Sequence, residues 1–200
     1  MNNNSFDIEN KTTKDKINYL NNYNNSDEIV NYLNDKFNNF NINICDKYKG
    51  NIMELMNKNL LERWCYQTTE TSILFLDNDS YIERGVLTLK KNKKYLHSWI
   101  TFNFKNKTHI FDPCLKIITK KDLYYQIFNT ELRGKVSSLE VKKYILKHIT
   151  NSKEEIIING KKDINYPIYG NNDVGYQIEI DNGNIKKLIA HYHINRYKHN

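Results

Sequence analysis

Three residues of the 200-residue chain are of types that together perform acyl transfer: Cys65, His97 and Asp112. A cysteine attacks a carbonyl as its thiolate, and a helix N-terminus or a neighbouring imidazolium lowers the thiol pKa enough to supply that thiolate at neutral pH. The run RWCYQTTETSILFLD predicts a helix from Cys65 to about Leu76, with the sulfur at the positive end of the helix dipole. His97 and Asp112 fall on two predicted strands, residues 95–104 and 108–112, joined by a turn at Lys105 and Asn106. A two-residue loop pairs Phe104 with Lys107 and, further along, Trp99 with Asp112. His97 and Asp112 are then diagonal neighbours on one sheet face, about 7–8 Å apart at the backbone, which side chains can bridge. An aspartate so placed fixes the imidazole tautomer and stabilises its cation. Taken singly, each residue has a plainer reading: a buried, inert thiol, a strand histidine packed beside Trp99, and a turn-former before Pro113.

The elements that must position these residues follow from periodicity and breakers. Residues 1–25 are polar and Asn-rich and predict a loose extension with at most a short helix near 14–20. Ser26, Asp27 and Glu28 suit a helix start, and Ile29, Tyr32, Leu33 and Phe37 share one face of a helix ending near Phe40. After Gly50, Ile52, Leu55, Met56, Leu60 and Leu61 again have helical spacing. Val86 to Leu89 read as a strand, 119–129 and 139–150 as helices, and 154–159 as a short strand. Asp181-Asn-Gly-Asn184 is a strong turn signal and predicts a hairpin between 176–180 and 185–194, either extending the sheet or forming a lid. Three segments result: an extension over 1–25, a core over 26–135, and a C-terminal helix and hairpin over 136–200 packed on the same core, with the softest boundary near 134–138.

The order of motifs resembles the transglutaminase-like superfamily, which is related to papain. Cys65 is followed by Arg84-Gly85-Val86 where that family has an "r-G-i" strand, by His97-Ser98-Trp99 as its H-x-W, and by Asp112-Pro113 as its Asp-Pro. The separations are 32 residues from Cys65 to His97 and 15 from His97 to Asp112, and the resemblance covers about residues 50–116. The chain departs from the pattern around the nucleophile, where Tyr66 follows the cysteine, Trp64 precedes it, and Gln67, Thr68 and Thr69 stand in place of small residues. The resemblance implies an α+β fold with a papain/transglutaminase-like core, N-terminal helices packed on an antiparallel β-sheet. It implies a Cys–His–Asp triad and a thioester intermediate on an amide or peptide substrate. Arylamine N-acetyltransferases share the triad, but their Arg-Gly-Gly-x-Cys approach is replaced by Glu62-Arg63-Trp64-Cys65. An inactive binding module of the same fold is the non-enzymatic alternative.

An oxyanion hole needs two donors. The Cys65 backbone N–H is one candidate; Asn59, Gln67 and the Trp64 indole compete for the second. Trp99 and Tyr66 are candidate walls of the substrate site, with the core as the other reading of Trp99. His191 and His193 alternate along a strand, but no third ligand is evident, so no metal is expected. No cofactor is implied. Cys45 and Cys114 read as structural, and His109 as facing away from His97.

Composition narrows the partners. The net charge is +7, yet the 26 Lys are spread along the chain against 4 Arg, the profile of a solvated surface in an AT-biased sequence with 32 Asn and a single Ala. A specific nucleic-acid site is therefore not expected. Three cysteines without a CxxC, and an N-terminus without an apolar leader, point to a cytoplasmic, reducing setting. No apolar run approaches a membrane span, so no membrane partner is expected.

Overall fold

A computed structural model of the protein describes residues 11–24, 27–89, 93–151, 163–165, 174–181 and 184–192. The chain is α+β, with two five-stranded sheets. The described residues form, in order, α1 (Thr13–Asn24), α2 (Asp27–Phe37), β1 (Phe40–Ile44), β2 (Tyr48–Asn51), α3 (Ile52–Asn57), α4 (Cys65–Ser72), β3 (Tyr81–Thr88), β4 (Lys94–Phe104), β5 (Lys107–Asp112), β6 (Ile117–Lys120), α5 (Lys121–Phe128), β7 (Glu131–Ser137), α6 (Ser138–Asn151), β8 (Asp163–Asn165), β9 (Val174–Asp181) and β10 (Asn184–Tyr192). A turn of 3-10 helix over Ile73–Phe75 follows α4.

The sheet carrying the candidate residues has the order β6-β5-β4-β3-β7 and is antiparallel throughout. The β4–β5 hairpin has the expected register, with Phe104 opposite Lys107 and Ile100 opposite Phe111. Lys105 and Asn106 both take positive φ, 49° and 59°, as a two-residue loop matched to strand twist requires. The second sheet, β2-β1-β10-β9-β8, joins distant parts of the chain through a parallel β1–β10 pair. The C-terminal hairpin therefore does not extend the first sheet; it completes a second one with residues 40–51.

Apolar side chains fill both faces of the first sheet. One cluster unites Leu33 and Phe37 of α2, Phe40 and Ile42 of β1, Ile100 and Phe102 of β4, and Leu188, Ala190 and Tyr192 of β10. The other joins Leu20 of α1, Trp99, Ile110, and Tyr124, Ile127 and Phe128 of α5. α1 lengthens the short helix expected near 14–20 and docks it on the core: Leu20 is fully buried, and Lys16 donates to the Thr88 carbonyl at 3.1 Å.

Other boundaries shift for local reasons. α3 stops at Asn57, and Asn59 at φ 58° turns the chain so that Leu60 and Leu61 leave the helix. α2 ends three residues early because the chain enters β1, which together with β2, β6 and β7 escaped the sequence reading. β7 straddles the softest expected boundary, and Ser138 is tied by its N–H to the Ser80 carbonyl at 2.8 Å. Ser26, the strand expected at 154–159 and His193 lie outside the described residues.

Candidate active site

α4 consists almost wholly of polar residues, yet Gln67 to Ser72 are all buried. Threonine is a weak helix former because its hydroxyl competes for backbone groups. Here that tendency satisfies the buried hydroxyls: Thr68, Thr69, Thr71 and Ser72 each donate to the carbonyl four residues back. Four consecutive side chains then reach four different elements. Thr68 Oγ lies 3.3 Å from Cys114 Sγ, Thr69 Oγ 2.8 Å from Ser98 Oγ, and Thr71 Oγ 2.9 Å from the Tyr192 hydroxyl, while Glu70 pairs with Arg84. These anchors fix the position of Cys65, the first residue of the helix. Its N-cap, Trp64, offers no side-chain acceptor, so the first-turn N–H groups are not consumed by a cap.

His97 sits where β4 runs past β5. Residues 100–104 of β4 pair with β5, whereas β5 stops at Asp112 and Pro113 turns the chain away. Asp112 Oδ2 accepts a hydrogen bond from His97 Nε2 at 2.8 Å. Asp112 is fully buried and His97 is 8% exposed. Burial alone would lower the His97 pKa; the charge and hydrogen bond of Asp112 outweigh it, and a hydrogen bond and charge from Cys65 add to them, raising it from 6.5 to about 10. Asp112 and Cys65 thus both favour the protonated form of the imidazole.

Asp112 has further partners that the sequence reading missed. Oδ1 accepts from the backbone N–H of Cys114 and Leu115 at 3.2 and 3.1 Å, and Oδ2 accepts from the Tyr124 hydroxyl at 2.7 Å. The turn-forming reading of Asp112 and the histidine-orienting one thus hold together, one for each oxygen. A signal for Tyr124 was present in α5: Tyr124, Ile127 and Phe128 have the spacing of an inward face, and a buried tyrosine hydroxyl needs a partner.

The remaining candidates are placed as follows. Trp99 is fully buried and stands behind His97, ring centroids 6.4 Å apart and nearly parallel. Gly85, opposite His97 on β3, makes room for it: a Cβ there would lie 2.9 Å from Trp99 Cη2 and 2.2 Å from the Glu131 carbonyl oxygen. Tyr66 is half-buried, with the Arg84 guanidinium 5.1 Å over its ring; burial, and then the charge of Cys65, raise its pKa. Gln67 is buried, and its Nε2 has no hydrogen-bond partner among the described residues. Trp64 packs its ring on Tyr192 at 5.0 Å. Asn59 is exposed and serves the turn that ends α3.

The other two thiols differ from Cys65. Cys45 donates to the Tyr192 carbonyl at 3.3 Å. Cys114 is buried, and burial followed by the charges of Asp112 and Cys65 pushes its pKa well up. His109 lies opposite Phe102 on the face away from His97, and His191 Nδ1 is 3.2 Å from Asn43 Nδ2. Among the described residues, no group of three His, Cys, Asp or Glu could hold a metal, and no helix is long and apolar enough to cross a membrane. In comparison with known proteins, the chain matches no family model, no curated protein and no solved structure.

Proposed function

We propose that the protein is a cysteine-dependent acyl-transfer enzyme of the transglutaminase-like kind, acting on an amide or peptide bond. The observation that carries this reading is the His97 ring, which bonds Asp112 through Nε2 and interacts with Cys65 at the first position of α4. A thiolate–imidazolium pair in that arrangement supplies a nucleophile at neutral pH.

The Cys65 sulfur adds to the carbonyl carbon, and the oxygen takes the negative charge. The Cys65 N–H is one donor to that oxyanion, and the unspent Nε2 of Gln67 makes that side chain a better second candidate than the exposed Asn59. The C–N bond then breaks, and His97 gives its proton to the leaving amine. The product is a thioester on Cys65. Water releases it as an acid, with His97 taking the proton; an amine acceptor would instead give transamidation. Hydrolysis is favoured, because water is the ubiquitous acceptor. The half-buried Tyr66 forms one side of the approach. Free thiols suit a reducing, cytoplasmic setting for such an enzyme.

Alkylation of the full chain by iodoacetamide near pH 7, resolved by cysteine in a mass spectrometer, tests the proposal. Cys65 and Cys45 are both half-buried, so exposure alone predicts similar rates. Cys65 is expected to react at least about ten times faster than either other thiol, as an activated thiolate does, and Cys65→Ala to remove that fast phase. Equal rates at Cys65 and Cys45 would remove the case for an enzyme and leave a binding module. Turnover of acetyl-CoA would favour the N-acetyltransferase alternative; none is expected.

A further inference from the structure

Asp112 receives four hydrogen bonds, and only one comes from His97. Two backbone N–H groups fill Oδ1, and His97 and Tyr124 share Oδ2. We infer that Tyr124 is a positioning residue for the proposed reaction: its hydroxyl holds the Asp112 carboxylate in the orientation from which Oδ2 accepts from His97. This inference rests on the cysteine-dependent reading of the site and adds to it a residue outside the Cys–His–Asp set.

The terminal torsion of an aspartate is broad and roughly two-fold, so a carboxylate held at one oxygen still rocks. The backbone of Cys114 and Leu115 holds Oδ1; the Tyr124 hydroxyl at 2.7 Å occupies one lone pair of Oδ2 and leaves the other for the imidazole. Tyr124 itself is held fast. It is fully buried, and its ring packs on Trp99 at 5.6 Å and on Phe128 at 5.0 Å. A phenylalanine would fill the same space, so the hydroxyl is what distinguishes a positioning role from a packing one. Burial, followed by the charge of Asp112, pushes that hydroxyl's pKa well up, so it remains a donor across the working pH range.

The charged and titratable groups facing this cluster are His97 from β4, Asp112 from β5, Cys114 from the turn after it, and Cys65 from α4. Glu83 and Lys121 lie beyond Trp99 and pair with each other. A donor on Oδ2 withdraws charge from the carboxylate and moderates its pull on the His97 proton. Removing it leaves Asp112 less stabilised, most of all when His97 is neutral, so His97 should hold its proton to higher pH.

The test is an NMR titration of the His97 imidazole in the full chain, run together with Cys65 alkylation by iodoacetamide as a function of pH. In Tyr124→Phe the His97 titration should move up by about one unit, the scale of one hydrogen bond to a charged group. Tyr125→Phe removes a neighbouring hydroxyl that bonds Glu83 and should leave His97 unmoved. A folded Tyr124→Phe protein with an unchanged His97 titration overturns the inference. If that variant fails to fold, 3-fluorotyrosine at position 124, a stronger donor, should move His97 down; no movement overturns it equally. Absence of fast Cys65 alkylation in the unaltered chain would sink the enzymatic reading itself, whereas fast Cys65 with an unmoved His97 sinks only the role of Tyr124.

Discussion

Asp112 and Glu83 are carboxylates buried in the same sheet, one on each strand flanking β4, and both have their oxygens filled with donors. Asp112 accepts from His97, Tyr124 and two backbone N–H groups. Glu83 accepts from Trp99 Nε1 at 3.0 Å, the Tyr125 hydroxyl at 2.8 Å and Lys121 Nζ at 2.6 Å. The two networks meet at Trp99, which donates to Glu83 and stacks behind His97. They differ in the cation that balances each carboxylate. Lys121 is an ammonium that pairs with Glu83 and lies over the Tyr125 ring, 5.1 Å from its centroid, so all its described contacts stay within the Glu83 network. His97 is titratable and has a second ring nitrogen, and it interacts with Cys65. Satisfying a buried charge is therefore common to both sites; what differs is the partner, a histidine at Asp112 and a lysine at Glu83.

That contrast can be broken by substitution. The largest expected effect is on folding: Glu83→Ala leaves the Trp99 N–H and the Tyr125 hydroxyl without their acceptor and should cost about 3 kcal/mol or more in urea unfolding. Cys65 should keep its fast alkylation in the folded fraction, and a large drop in that rate would show that the two networks are one. His97→Gln tests the other network, and should lower the Cys65 alkylation rate near pH 7 by about 10–100-fold. Gly85→Ala tests the shared wall. Its Cβ would collide with the Glu131 carbonyl oxygen and the Trp99 ring, and overpacking of this kind costs about 1–3 kcal/mol.

A graded effect follows from pH. The folded-state pKa of His97, about 10, lies above the ordinary 6.5. The folded chain therefore binds the extra proton between those values, so the stabilisation from the imidazolium is complete below about pH 6.5 and is lost as pH rises towards 10. Urea titrations across that window, with His97→Gln as reference, should show the advantage of the unaltered chain shrinking with pH. A constant difference would mean that His97 is not held as a cation.

The candidate site was legible to different depths. The His97–Asp112 pair followed from a two-residue turn and period-two counting, because hairpin register is a local property, and the positive φ of Lys105 and Asn106 supports the turn on which it rests. The helix beginning at Cys65 was readable from order and spacing despite its threonines. What made that helix stable was not readable: its polar side chains are satisfied by Ser98, Arg84, Cys114 and Tyr192, which lie 14 to 121 residues away. Of the two readings of Trp99, wall of the site or core, burial favours the core; sheet-face parity places a residue on a side without saying whether a helix covers it, and α5 does.

By itself the sequence determined the chemistry-bearing residue types, the strand register that sets His97 beside Asp112, and the helix that starts at Cys65. These depend on backbone geometry over a few residues, where sterics and turn chemistry dominate. Only the tertiary structure decided that β1 and β10 pair in parallel, that α1 docks on the core, that Tyr124 completes the shell of Asp112, and that Glu83 closes a second network behind Trp99. Each of these joins elements far apart in the chain, and no local pattern encodes such a meeting; it is selected by the joint burial of apolar faces and by the need of every buried polar group for a partner.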